Sequence, residues 1–224
     1  MAISPQSPAV KLADSTTNVK NICVTGGPAG GKTTIMPDIS ELALAKGWRP
    51  IVIPEAATIV LTALRGGSAK VVPASVEVQT AIARVQRNLA ESLISGLEGE
   101  EERLLVVHDR GPLDALAYRS RESLEQIFQN VFGMAIDELA LEYDAVLHLQ
   151  STAVDAPQHY SLENNAARTE TVEQASIADL KTQEVWAVHP HQFIVTNGGA
   201  GWIEKRAAAL RVVSDLLDYW SAVR

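Results

Sequence analysis

The segment Gly26-Gly27-Pro28-Ala29-Gly30-Gly31-Lys32-Thr33 constrains this chain more than any other. It matches G-x-x-x-x-G-K-[ST], and its surroundings read as the pattern requires. Ile22-Cys23-Val24-Thr25 before it is a short apolar run of the kind that forms a buried strand. From Lys32 to about Lys46 the residues favour a helix stopped by Gly47. Pro37 falls near the first turns of that helix, where proline is better tolerated than in mid-helix. A glycine-rich turn between strand and helix lets backbone N–H groups converge on phosphate oxygens, and the helix N-terminus adds further donors and a favourable dipole. Gly27, Pro28, Ala29, Gly30 and Gly31 are therefore candidate nucleotide-binding positions. Lys32 is expected to reach the β- and γ-phosphates, Thr33 to offer its hydroxyl to Mg²⁺, and Thr34 to lie near the α-phosphate.

The rest of the chain supplies the partners of such a loop. Further strands are expected at 51–53, 104–107, 145–149 and 193–195. Helical patterns fall at 57–65, 75–97, 113–119, 122–142 with a break near Gly133, and 171–188 with a capping box at Thr171 and Gln174. A last helix carries Ile203, Ala207, Leu210, Val213, Leu217 and Trp220 on one face, and the 75–97 helix carries Val78, Ile82, Val85, Leu89 and Leu93 in one stripe. Strands that are almost wholly apolar and alternate with helices predict an α/β fold with a parallel sheet covered on both faces.

Composition excludes several alternatives. The chain is 224 residues long and 46% apolar, enough to build a core, so disorder of the whole is excluded. Residues 1–18 read as a loose tail and 19–224 as one domain with a polar lid at about 151–170. No apolar run is long enough for a membrane span, and the first twenty residues lack the basic and apolar regions of a secretory signal, so the expected compartment is the cytoplasm. A lone cysteine, Cys23, excludes an internal disulfide and reads as a core residue. The formal charge of −8, from 19 basic and 27 acidic residues, argues against an extended nucleic-acid partner. His189-Pro190-His191 lacks further ligands for a metal, and His108 and His148 read as packed strand residues. The four tryptophans, Trp202 among them, read as core or interface fillers, and a homodimer is left open.

GGPAGGKTT, VIPEAA, VVHDRGPLDALAY, YDAVLHL and ENNAARTE together resemble the P-loop kinase group of small AAA-type ATPase domains. That group is similar to nicotinamide riboside kinase domains and, more distantly, to deoxynucleoside kinases. The resemblance runs from about residue 20 to 215. It implies a P-loop three-layer sandwich with a five-stranded parallel sheet in the order 2-3-1-4-5, helices on both faces and a lid. It also implies binding of ATP, or GTP, with Mg²⁺. Some members of the group act as GTP-binding regulators.

Individual residues carry expectations and alternatives. Glu55, just past the second strand, is a candidate catalytic carboxylate by the resemblance to deoxynucleoside kinases; the alternative is an acid favourable at a helix N-terminus. Asp109, past the third strand, is a candidate Mg²⁺ ligand through water and competes with Glu55 as base; the alternative is a carboxylate satisfied by local N–H groups. Arg110 offers a guanidinium to acceptor or phosphate, or pairs with Asp114 one turn on. Arg168, in the lid, is a candidate clamp on transition-state charge, with Asn164 and Asn165 as added donors and Arg119 and Arg121 behind it; the alternative is a solvated loop arginine. Asn197, after the fifth strand, borders the nucleotide base by resemblance alone. Gln79 and Arg84, on the polar side of the 75–97 helix, read as a solvated helix face, with contact to the acceptor as the alternative.

The function these expectations compose is Mg²⁺-dependent phosphoryl transfer from ATP to a small hydroxyl acceptor, a nucleoside or ribosyl metabolite. The alternatives are an NTP-hydrolysing or GTP-binding regulator and a polynucleotide 5′-kinase. The chain has no N-K-x-D guanine motif, and the net charge opposes the last.

Overall fold

The computed structural model describes residues 18–65, 72, 75–97, 102–117, 125, 128–129, 131–157, 171–198 and 201–223. Five strands pair in the order β2-β3-β1-β4-β5: β1 (Val19–Thr25), β2 (Arg49–Ile53), β3 (Leu104–Asp109), β4 (Ala145–Leu149) and β5 (Gln192–Val195). Every pairing is parallel. The order is the one the resemblance implies.

Alternation within the buried strands divides the core between two faces. Ile22, Val24, Leu105, Val107 and Leu147 face one side, where they pack with Ile35 and Ile39 of helix α1 (Lys32–Ala45) and with Val213, Leu217 and Trp220 of the last helix. Cys23 and Val146 face the other, with Leu113, Phe128, Ile136, Leu139 and Trp186. Val106 packs with Ile53 and Ala90 on a smaller cluster. Because both faces are covered, alternation in the sequence is masked and the strands read as continuous apolar runs.

Between the strands lie α2 (Ala56–Arg65), α3 (Val76–Ser95), a 3₁₀ turn (Pro112–Ala117) and α4 (Ile136–Ala140). After β4 come α5 (Thr152–Asp155) and α6 (Val172–Trp186), and α7 (Trp202–Ala222) closes the chain. The expected capping box is present: Thr171 N–H donates to Gln174 Oε1 at 2.9 Å, and Gln174 N–H to Thr171 Oγ1 at 3.2 Å. Ser75 caps α3 by accepting from Val78 N–H at 3.3 Å. Gly47 and Gly133 both have positive φ, which suits the expected helix stop and helix break.

Four expectations need correction. Asp109 is the last residue of β3 rather than the residue after it, because its main chain still pairs opposite Val24. The helix expected over 113–119 is a 3₁₀ turn over Pro112–Ala117. The inner face of α3 carries Gln79, Ala83, Gln86 and Ala90, while Val78, Ile82, Val85 and Leu89 flank it half-buried. Small and hydrogen-bonding residues are needed where this helix meets the ends of the strands. The inner face of α7 is Lys205, Ala209, Val213, Leu216, Leu217 and Trp220, whereas Ile203 is 81% exposed and Ala207 lies outside. The helix is rotated so that the buried Lys205 ammonium reaches the Gln150 carbonyl at the end of β4.

Of the expected lid, 151–157 is described and includes the short helix α5; 158–170 lies outside the described residues, as does most of the expected tail. Among the described residues, no helix is long and apolar enough to cross a membrane.

Candidate functional site

The glycine-rich segment runs from the end of β1 to the start of α1, with Gly26, Ala29 and Gly31 at positive φ. Gly27 and Gly30, which lack a positive φ, are demanded by close approach alone. A Cβ on Gly30 would sit 2.4 Å from the Leu149 carbonyl oxygen, and one on Gly27 would sit 2.7 Å from the Asp179 Cβ. The loop is thus pressed against the carboxyl end of β4 and the middle of α6. On its far side the Trp202 ring lies against Gly31, leaving no room for a side chain there.

Lys32 folds back over the loop. Its Nζ donates to the Gly26 carbonyl at 2.8 Å and the Gly27 carbonyl at 2.7 Å. Burial pushes its pKa down, the nearby Arg110 cation pushes it further, and Asp109, Asp114 and Glu55 oppose them; the result is about 7. Thr33 and Thr34 are exposed at the helix start. The Thr33 hydroxyl donates to Asp109 Oδ2 at 3.2 Å. Burial raises the Asp109 pKa despite Lys32 and Arg110, so this carboxylate lacks full compensation for its lost hydration.

Arg110 is the hub of the site. It is a non-glycine residue at φ +73°, and its N–H donates to the Val24 carbonyl at 3.0 Å. The guanidinium reaches three groups: Nε donates to Glu55 Oε1 at 2.6 Å, and one terminal nitrogen to Asp114 Oδ2 at 3.0 Å and to the Gly26 carbonyl at 3.2 Å. The alternative pairing with Asp114 is therefore present together with a pairing to Glu55. Asp114 is itself held by Thr25 Oγ1 at 2.8 Å and Trp186 Nε1 at 2.6 Å. Burial pushes Glu55 up, but Arg110 and the Thr58 hydroxyl pull harder, and the net is a carboxyl below its ordinary 4.5. Thr58 Oγ1 donates to Glu55 Oε2 at 2.8 Å, which fits the helix-start reading of this acid as well.

Lys32, Thr33, Glu55, Asp109 and Arg110 thus converge, as do the loop residues Gly27 to Gly31. Arg168, Asn164, Asn165, Arg119 and Arg121 lie outside the described residues. Asn197 is buried and committed to Asp155: its N–H donates to Oδ2 at 2.7 Å and its Nδ2 to Oδ1. It ties the end of β5 to α5. Gln79 is buried rather than solvated, while Arg84 is exposed.

Two residues were missed by motif reasoning. Gln86 Oε1 accepts from Ala56 N–H at 3.0 Å, and its Nε2 donates to the Arg110 carbonyl at 3.1 Å. One amide therefore fixes the main chain beside both Glu55 and Arg110. The signal was a second glutamine seven positions after Gln79 on a helix otherwise read by its apolar stripe. The other is Asp179, fully buried on α6, whose Oδ1 accepts from Gly27 N–H at 2.6 Å and Ser151 N–H at 2.9 Å. No local pattern marks it.

His108, His148 and His189 are buried within the fold. His108 is buried against Tyr143 with Nε2 3.1 Å from Asn21 Oδ1, and burial lowers its pKa to about 3. Among the described residues there is no group of three or more metal-ligating His, Cys, Asp or Glu.

A parallel sheet in this order, with a glycine-rich Lys-Thr loop joining the central strand to a helix, defines a P-loop nucleotide-binding domain. The family described as an AAA domain matches residues 21–206, and the chain belongs to it. The matched stretch begins in β1 and ends in α7, so it includes the loop and all five converging residues. No curated protein matches the chain. P-loop domains of this family bind a nucleotide together with Mg²⁺.

Proposed function

We propose that the protein transfers the γ-phosphoryl group of ATP to a hydroxyl of a small acceptor, a nucleoside or ribosyl metabolite. The observation that carries this reading is Glu55: a carboxylate just past β2, ionised throughout the neutral range and held by Arg110 within the electrostatic reach of Lys32. In a kinase such a carboxylate orients the acceptor hydroxyl; in a hydrolase the same group would orient the attacking water, so the acceptor is what separates the two readings.

The roles follow from the chemistry. Loop amides hold the polyphosphate, and Lys32 leaves the Gly26 and Gly27 carbonyls to neutralise the β- and γ-oxygens. Thr33 and Asp109 fit Mg²⁺: both offer hard oxygens, they lie 3.2 Å apart, and Asp109 is a carboxylate that a cation would relieve. Bound there, Mg²⁺ would draw charge from the phosphate oxygens. Glu55 orients the acceptor hydroxyl; its depressed pKa makes it a weak proton acceptor, so positioning is its larger contribution. Arg110 fixes Glu55 rather than meeting the acceptor directly. Arg168 is assigned to the clamp on developing charge.

One observation favours the second reading, an NTP-hydrolysing or GTP-binding regulator. Both oxygens of Glu55 already have partners, Arg110 and Thr58. The test is transfer from γ-labelled ATP with Mg²⁺ into pooled nucleosides and ribosyl compounds, with GTP in parallel. Labelled organic product supports the kinase. Label released only as free phosphate selects the regulator.

A further inference from the structure

The peptide unit joining Gly26 to Gly27 is gripped on both edges. Its carbonyl accepts from Lys32 Nζ at 2.8 Å and from the Arg110 guanidinium at 3.2 Å. Its N–H donates to Asp179 Oδ1 at 2.6 Å. The N–H and C=O of a trans peptide lie in one plane and point in opposite directions, so whatever orients the N–H also aims the carbonyl.

Asp179 is itself held from several sides. Its Oδ1 also accepts from Ser151 N–H at 2.9 Å, and its Oδ2 lies 3.3 Å from His148 Nε2. His148 and Asp179 are both fully buried. Ser151 Oγ donates to the Pro28 carbonyl, a second tie from the end of β4 to the loop. A buried carboxylate is costly, and its placement against an anion-binding loop works against phosphate by simple Coulomb repulsion. Packing alone would be served by an apolar residue at this position of α6.

We propose that Asp179 is a positioning residue for the phosphate-binding loop: by taking the Gly27 N–H it turns the Gly26 carbonyl toward Lys32 and Arg110, setting the loop before nucleotide arrives. The inference rests on nucleotide binding at the loop and is independent of what accepts the phosphate. The side chain acts through the loop and touches no phosphate itself.

The test measures binding of inorganic pyrophosphate and of ADP to the full chain by titration calorimetry, with melting temperature recorded for each variant. D179A removes the acceptor and is expected to weaken both ligands about tenfold, the equivalent of one lost charge-assisted hydrogen bond. D179N keeps an oxygen for the Gly27 and Ser151 N–H groups and is expected to restore binding to within about threefold of the parent. Folded D179A with the parent's pyrophosphate affinity would overturn the proposal, since a merely structural role lowers the melting temperature alone. Tighter binding by D179A and D179N would overturn it too, as the carboxylate would then act only by its charge. If D179A does not fold, G27A decides. Its Cβ would meet the Asp179 Cβ at 2.7 Å and push the two apart, so a folded G27A with undiminished pyrophosphate affinity overturns the proposal. Failure of the parent chain to bind either ligand would instead refute nucleotide binding at the loop and remove the proposal with it.

Discussion

The Thr33 hydroxyl lies 3.2 Å from Asp109 Oδ2, although 76 positions separate them in the chain. Strand pairing makes the contact: β1 and β3 run parallel with Val24 opposite Asp109, so the carboxylate emerges beside the loop that follows β1. An Asp109→Asn variant keeps the shape and removes the charge. Mg²⁺-dependent turnover is expected to fall about 100-fold, the scale of losing one aligned electrostatic group. Nucleotide affinity measured with the metal chelated should change little. A variant equally impaired with and without Mg²⁺ would remove Asp109 from the metal site.

Lys32→Ala should reduce turnover about a thousandfold while leaving circular dichroism and melting unchanged. Unaltered turnover would refute the assignment of the loop.

Proton uptake gives a second test of the lysine. Its pKa in the free protein is about 7 against an ordinary 10.5, so above neutrality it is mostly uncharged. Anionic phosphates favour the ammonium and raise that pKa on binding. Binding must then take up a proton, and affinity must weaken as pH rises above about 7. Calorimetry at mildly alkaline pH in buffers of different ionisation heat should show uptake approaching about one proton per site. Proton release, or affinity that strengthens with pH, would contradict the buried, partly neutral lysine.

Glu55→Gln keeps one acceptor oxygen, for Arg110, places its amide NH2 beside the Thr58 hydroxyl, and loses the charge. Transfer is expected to drop about 100-fold, in the range of lost acid–base groups, with nucleotide affinity nearly unchanged. Because Glu55 titrates below its ordinary 4.5, any acid limb this group gives the parent's rate should have its midpoint below that value. Parallel loss of transfer and nucleotide affinity would mark Glu55 as a helix-start acid only.

Arg110→Ala leaves Asp114, deeply buried, without its guanidinium partner, and Glu55 loses its nearest cation. Breaking such a pair should cost about 2 to 4 kcal/mol, read as a lower urea midpoint. The methyl side chain also inherits φ +73°, so Arg110→Gly should be the more stable of the two truncations. The reverse order would argue against strain at this position.

The loop and the succession of strands and helices are legible in the sequence because they depend on local rules, whereas the sheet order and the catalytic role of Glu55 were implied by the resemblance. Glycines permit the turn, apolar runs mark buried strands, and parallel α/β sheets present the ends of their strands on one edge. Helix faces were read less well. On α3 the apolar stripe pointed to the flanks; on α7 Val213, Leu217 and Trp220 face inward as expected but Ile203 and Ala207 do not, and Gln86 and Lys205 turn inward. Hydropathy cannot anticipate this, because a buried amide or ammonium is favourable only where a particular orphan carbonyl or N–H waits for it.

The loop motif marked Lys32 as a candidate phosphate ligand and residue type makes Arg110 a cation, whereas tertiary structure decided how each is held. Arg110 serves Glu55, Asp114 and the Gly26 carbonyl together because β2, β3 and the loop bring those groups within reach of one planar guanidinium. Asp179 carries no local signature at all. Its meaning comes from α6 packing across the end of β4, which sets a carboxylate 2.6 Å from a loop amide 152 positions earlier in the chain. Short-range sequence patterns specify turns and strands, but a hydrogen bond across such a separation exists only after the sheet has assembled.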